Sequence, residues 1–174
     1  MEDYKKLYSE MHKNDKYFPG YTLKKHADKV AELVKRTNPA RLLDYGSGKG
    51  YQYLKLRLHE RWGGLLPYCY DVGVRQLSER PEGRFDGIIC TDVMEHIAEK
   101  DVDAILGEVF SFSNVDWVQQ AFVFFSISCA PAYRKTLPDG RNVHLTVRPP
   151  VWWNGKIIPF HRKGLIVEVA YDVE

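Results

Sequence analysis

The stretch that decides the fold is Leu42-Leu43-Asp44-Tyr45-Gly46-Ser47-Gly48-Lys49-Gly50. A short apolar run, 40–45, begins after Asn38-Pro39 and passes directly into glycines at alternate positions. The run reads as a buried strand. The glycines read as a tight strand-to-helix turn, because without a Cβ they permit backbone angles and close approach that other residues block. A helix over 51–59 would then offer its free N–H groups to an anionic part of a ligand. Asp44 sharpens this reading. A carboxylate just before the loop repels a dinucleotide phosphate and attracts a cationic amino group.

Upstream, Leu23, Ala27, Val30, Ala31 and Val34 recur at helical spacing with Lys and Glu opposite, which predicts a helix to about Arg36. Thr22 reads as its N-cap and Asn38-Pro39 as its end. Downstream, four more strands are expected at 65–70, 85–90, 121–127 and 165–171. Helices fit at Val93 to about Phe110 and around Val151 to Ile157. Continuous apolar strands alternating with amphipathic helices predict a doubly wound α/β fold, its mostly parallel sheet covered on both faces. One domain is expected over 1–174, with a helical or lid-like N-terminal segment (1–37) ahead of a core at 40–174.

Composition narrows the function classes. The 174 residues carry 25 Lys and Arg against 23 Asp and Glu, a formal net charge of +2, so no dedicated nucleic-acid binder is expected. Cys69, Cys90 and Cys129 form no CxxC or Cys/His cluster, which argues against a disulfide framework or structural zinc. The apolar runs are too short to span a bilayer, and the charged N-terminus lacks the apolar core of a signal peptide. A cytoplasmic protein that uses no membrane is expected.

Three segments in order over 41–97 resemble the class I S-adenosylmethionine-dependent methyltransferases. Asp44, Gly46, Gly48 and Gly50 match the D-x-G-x-G-x-G of that family's first motif. Asp71, at the end of the second strand, matches the acidic residue that the family places on the ribose hydroxyls. The run Phe85-Asp86-Gly87-Ile88-Ile89-Cys90-Thr91-Asp92-Val93-Met94-Glu95-His96-Ile97 is similar to a stretch of small-molecule methyltransferases, ubiquinone-type O-methyltransferases included. The resemblance implies a Rossmann-like methyltransferase fold, S-adenosylmethionine as cofactor, and a methyl acceptor that is a small molecule with an O, N or S nucleophile. One departure stands out. The connection 72–85 is too short for the helix and third strand that the family usually fits there, so either the third strand is missing or adenine is held differently, for example by Val72, Gly73 or Val93.

The implied cofactor residues are Asp44, Gly46, Gly48, Gly50, Asp71, Asp92 and Val93. Asp92 would face the cofactor–substrate cleft, or cap a helix starting at Val93. His96 is the first candidate for a general base, titrating near ~6.5, and His144 the second. The competing role for His96 is packing inside the first helical turn. No metal is expected, since one local Glu95-His96 pair does not complete a ligand set. The long segment 129–150 and the aromatic N-terminus are expected to select the substrate. Two other readings of the same fold are a non-catalytic cofactor-binding or scaffold protein and an enzyme using the cofactor for a non-methylating reaction.

Overall fold

The computed structural model describes residues 3–14, 17–115 and 120–173. The expected N-terminal segment 1–37 therefore includes four residues (1, 2, 15 and 16) outside the described ones. Among the described residues five strands form one all-parallel sheet: β1 (Leu42–Tyr45), β2 (Tyr68–Tyr70), β3 (Gly87–Thr91), β4 (Ala121–Ser128) and β5 (Leu165–Asp172), in the order β2-β1-β3-β4-β5. β1 pairs with both β2 and β3, with Asp44 opposite Cys69 on one side and Ile89 on the other. The chain thus reverses its direction of progress beside β1, and the cleft at the carboxyl ends of β1 and β3 is the switch point where such sheets bind ligands.

The apolar strands are buried because helices cover both faces. On one face, α2 (Leu23–Thr37) buries Leu23, Ala27, Val30, Leu33 and Val34 against Leu42, Ile89, Phe122 and Phe124. On the other face, α4 (Val102–Ser111) and α5 (Pro150–Ile157) pack on Ile88, Cys90, Val123 and Phe125, with Trp153 fully buried. Each such side chain contributes about 1.5–3 kcal/mol when removed from water. Asp86 ties the sheet's lower end: its carboxylate accepts from the Ala40 and Arg41 amides and from Asn114 Nδ2.

Several elements differ from the sequence expectation. The N-terminus contains a helix, α1 (Tyr4–His12), whose Tyr4, Tyr8 and Met11 are buried. Thr22 makes no side-chain cap hydrogen bond, because its backbone is already helical at φ −61° and ψ −33°. The helix after the glycine loop, α3 (Tyr51–Leu54), stops early: Arg57 turns left-handed and a 3-10 turn takes over at Leu58–Trp62. The helix expected from Val93 begins only at Val102, after short 3-10 turns at Met94–His96 and Glu99–Asp101. β2 is shorter than expected, beginning after Pro67, which has no N–H for a ladder. Among the described residues no strand lies between β2 and β3; the 72–85 connection holds one 3-10 turn, Arg75–Leu77. Among the described residues no helix is long and apolar enough to cross a membrane.

Candidate active site

The glycine loop is fixed from two sides. The Gly46 and Ser47 amides both donate to the Tyr70 carbonyl, at 2.7 and 3.0 Å, which pins the loop to the end of β2. Gly46 and Gly48 adopt φ of +75° and +57°. A Cβ at Gly46 would lie 2.2 Å from Val93 Cγ2, and one at Gly48 would lie 2.4 Å from the Phe18 carbonyl oxygen. Both glycines are therefore required by conformation and by space. The segment 17–20 forms a strap over the loop: the Lys49 amide donates to Phe18 O and the Tyr51 amide to Pro19 O.

Asp44 lies beneath this loop, 1 % exposed, and does not line the cavity above it. Its Oδ2 accepts from Gln52 Nε2 at 2.8 Å and from the Tyr53 hydroxyl at 2.7 Å. Its Oδ1 and the Oε1 of Gln52 are buried without a hydrogen-bond partner among the described residues. Burial pushes the Asp44 carboxyl up to about 6 against the two hydrogen bonds. Gln52 does line the cavity and also donates to Ser47 O, so it links the buried carboxylate to the ligand space. Sequence reading missed Gln52, because a polar residue in a helix's first turn follows no pattern.

Asp71 holds the other side. Its Oδ2 accepts from the Gly48 amide at 2.9 Å and its Oδ1 from the Gly73 amide at 2.9 Å. His12 Nε2, from α1, approaches Oδ1 at 3.4 Å. Burial raises Asp71 to about 6 and lowers His12 to about 4, the latter with help from Lys49, so at pH 7 a carboxylate faces a neutral ring.

The cavity these residues border has a volume of about 620 Å³. Gly46, Gly48, Asp71, Asp92 and Val93 line it, together with His96 and His144. Gly50 does not; at φ +69° it opens α3 instead. Asp92 has φ +53° and accepts from Ser126 Oγ at 2.7 Å, so β4 orients it toward the cleft. It caps no helix at Val93, since none starts there.

At the far end, Glu95, His96 and His144 converge. His96 Nδ1 lies 2.9 Å from Val143 O, and His144 Nδ1 lies 2.6 Å from Ala130 O. A carbonyl can only accept, so each ring donates through Nδ1, and in its neutral form keeps a lone pair on Nε2. The two rings meet edge to face at 4.9 Å. Burial above all, with His144 beside it, pulls His96 down to about 3, so the titration expected near 6.5 does not occur there. Glu95 is fully buried; its Oε1 accepts from the Ser128 amide, and its Oε2 has no hydrogen-bond partner among the described residues. Burial, reinforced by Asp92, pushes its carboxyl up to about 8. Glu95, His96 and His144 each offer one ligand atom, all within 4.8 Å of one another. The Glu-His pair that looked incomplete in the sequence gains its third member from the 129–150 segment.

A loop cradle, a carboxylate at each of two neighbouring strand ends and a cavity at the switch point are the features of a nucleotide-type cofactor site on a doubly wound sheet. A sequence family described as a methyltransferase domain matches residues 18–144. The chain belongs to this family of class I S-adenosylmethionine-dependent methyltransferases, and its cofactor is S-adenosylmethionine. No curated protein and no solved structure matches the chain. The residues present fit the cofactor: the cradle excludes any Cβ, and an orphaned buried oxygen on Asp44 and another on Gln52 await a donor such as an ammonium group.

Proposed function

We propose that the enzyme methylates an O, N or S nucleophile of a small molecule. One observation carries the reading: the cavity of about 620 Å³ is roofed by α1, the 17–20 strap and the segment bearing Val143 and His144. That volume lies within the range of small-ligand pockets, and with the cofactor bound it leaves room for a small acceptor. Gln52, oriented by Asp44, would receive the amino end of the cofactor, and Asp71 the ribose hydroxyls. Asp92 and Val93 would border the methyl position. The bound cofactor supplies a methyl group already activated by its sulfonium, so the chain's task is alignment and the removal of a proton where the acceptor has one. His96 and His144 line the cavity at the acceptor end; His144 would take that proton, and His96, held by burial at about 3, would serve chiefly to accept a hydrogen bond from the acceptor. Incubation with S-adenosylmethionine and a fractionated metabolite extract, followed by mass spectrometry, tests the reading. A product heavier by one methylene unit than a component of the extract supports it. S-adenosylhomocysteine formed with no such product would favour a non-methylating use or a macromolecular acceptor.

A second reading of the acceptor end is favoured by the convergence of one carboxylate oxygen of Glu95 with one nitrogen of each of His96 and His144, all within 4.8 Å of one another. Two neutral imidazoles and one carboxylate are a donor set suited to a divalent transition metal. A cation there would draw the acceptor oxygen and lower its pKa, and its binding would release the proton that Glu95 retains near neutrality. Thermal melting with Mn²⁺ or Zn²⁺ tests this reading. A shift that disappears in His144→Ala supports it, and turnover unaffected by EDTA excludes a catalytic metal.

A further inference from the structure

The cavity does not end at Asp71. It continues between the ends of β1 and β2 and the flank of α4, where Tyr45, Tyr70, Val72, Ser78, Ile105 and Glu108 line it. The short 72–85 connection, which holds no strand, contributes Val72 and Ser78 to this arm. Its walls are aromatic: the Tyr45 and Tyr70 rings stand 5.3 Å apart at 63°, and Tyr45 is backed by Phe112. Its polar feature from α4 is Glu108, whose carboxylate is 3.4 Å from Arg80 Nε and keeps 28 % side-chain exposure. Glu108 stands close enough to both phenols to help burial raise their pKa values.

We infer that Glu108 reads the purine ring of the cofactor by accepting from its exocyclic amine. The inference rests on the orientation proposed above. With the amino end at Gln52 and the ribose on Asp71, the base extends past the ribose, away from the loop, into the Tyr45–Tyr70 arm. An ionised carboxylate only accepts hydrogen bonds, so it complements the N6 amine of adenine and opposes the carbonyl oxygen that hypoxanthine carries at the same position. Neither tyrosine can draw that distinction, because a hydroxyl both donates and accepts. Glu108 is thus a specificity-determining residue supplied by α4.

Calorimetry with S-adenosylhomocysteine and S-inosylhomocysteine tests this on the wild type, Glu108→Gln and Arg80→Gln. The wild type should prefer the adenine ligand by ~10-fold or more, the scale of a hydrogen bond to a charged group. Glu108→Gln should weaken S-adenosylhomocysteine by a similar factor and bring the two ligands to near equality, since an amide can donate as well as accept. Arg80→Gln removes the ion-pair partner but leaves the carboxylate, so the preference should persist. An undiminished preference in Glu108→Gln, or equal loss of it in Arg80→Gln, overturns the assignment. Asp71→Asn, measured alongside, keeps the two readings apart: if it weakens S-adenosylhomocysteine while Glu108→Gln leaves the preference intact, only the Glu108 assignment fails. A wild type that binds neither ligand overturns both.

Discussion

His12 places its Nε2 3.4 Å from Oδ1 of Asp71, so the N-terminal helix touches the carboxylate that the ribose hydroxyls are proposed to engage. α1 is anchored further by the Tyr8 hydroxyl, which donates to His96 O at 2.8 Å, and by the Tyr4 hydroxyl, which donates to Asp101 Oδ2. One helix therefore contacts both the cofactor end and the acceptor end of the cavity. The sequence points to the aromatic N-terminus for substrate selection; on this geometry trimming 1–17 should weaken cofactor affinity as well as turnover, checked by calorimetry and rate assays.

Asp44→Asn separates charge from shape. The amide can still accept from Tyr53, but it no longer offers a negative charge beneath the loop. Affinity for S-adenosylmethionine should fall ~10- to 100-fold, while the melting temperature holds or rises because a buried charge has been removed. Calorimetry and melting on the same preparation check this; unchanged affinity would remove Asp44 from the cofactor site.

Cofactor affinity should depend on pH through Asp44 and Asp71, both raised to about 6. Ionised Asp71 can accept from both ribose hydroxyls, and ionised Asp44 attracts the amino end from beneath the loop while it orients Gln52, so affinity for S-adenosylhomocysteine should climb between pH 5 and about 7 and level off above. The free protein should behave oppositely. It holds these protons more tightly than the unfolded chain, whose carboxyls titrate near 3.8, so stability declines as pH rises from there through about 6. Asp71→Asn should flatten part of both trends, measured by calorimetry and by denaturant melts across the range.

His96→Gln should cut turnover ~10²-fold or more with cofactor affinity nearly unchanged. His96 itself should contribute no step to the wild-type rate near 6.5, because burial holds its ring pKa at about 3. A stable and fully active variant would leave alignment as the sole contribution and make His144 the next residue to substitute.

Gly48→Ala tests the strap. Its φ of +57° is unfavourable for alanine, and the new Cβ would meet the Phe18 carbonyl oxygen at 2.4 Å. Stability should fall by ~1 kcal/mol or more, and cofactor affinity should fall with it as 17–20 lifts from the loop. A variant with wild-type melting and binding would show that the strap yields freely.

What the sequence disclosed, and what it hid, follows from how local each signal is. The β1–glycine loop was legible because strand, turn chemistry and carboxylate lie within nine consecutive residues, 42–50. The parallel sheet was legible because its strands are continuously apolar. The late start of α4 was not, because residues 93–101 are shaped by distant partners: Tyr8 holds His96 O, and Thr146 donates to Ile97 O. Tyr4, Tyr8 and Met11 do stand at helical spacing, but tyrosines among charges read equally well as an irregular lid. His144 could be named as a candidate; that it completes a trio with Glu95 and His96 depends on a chain reversal that no spacing encodes.

The strap's attachment to the glycine loop also bears on timing. Phe18 and Pro19 hold the loop through main-chain hydrogen bonds, which no side-chain substitution in the strap removes directly. Spent cofactor leaving by that side must wait for a local opening, whereas a methylated acceptor leaving past His144 need not. Release would then be ordered, with S-adenosylhomocysteine last, and its escape would set the steady-state rate. The signature is a rapid first turnover followed by a slower steady phase, its amplitude matching the enzyme concentration.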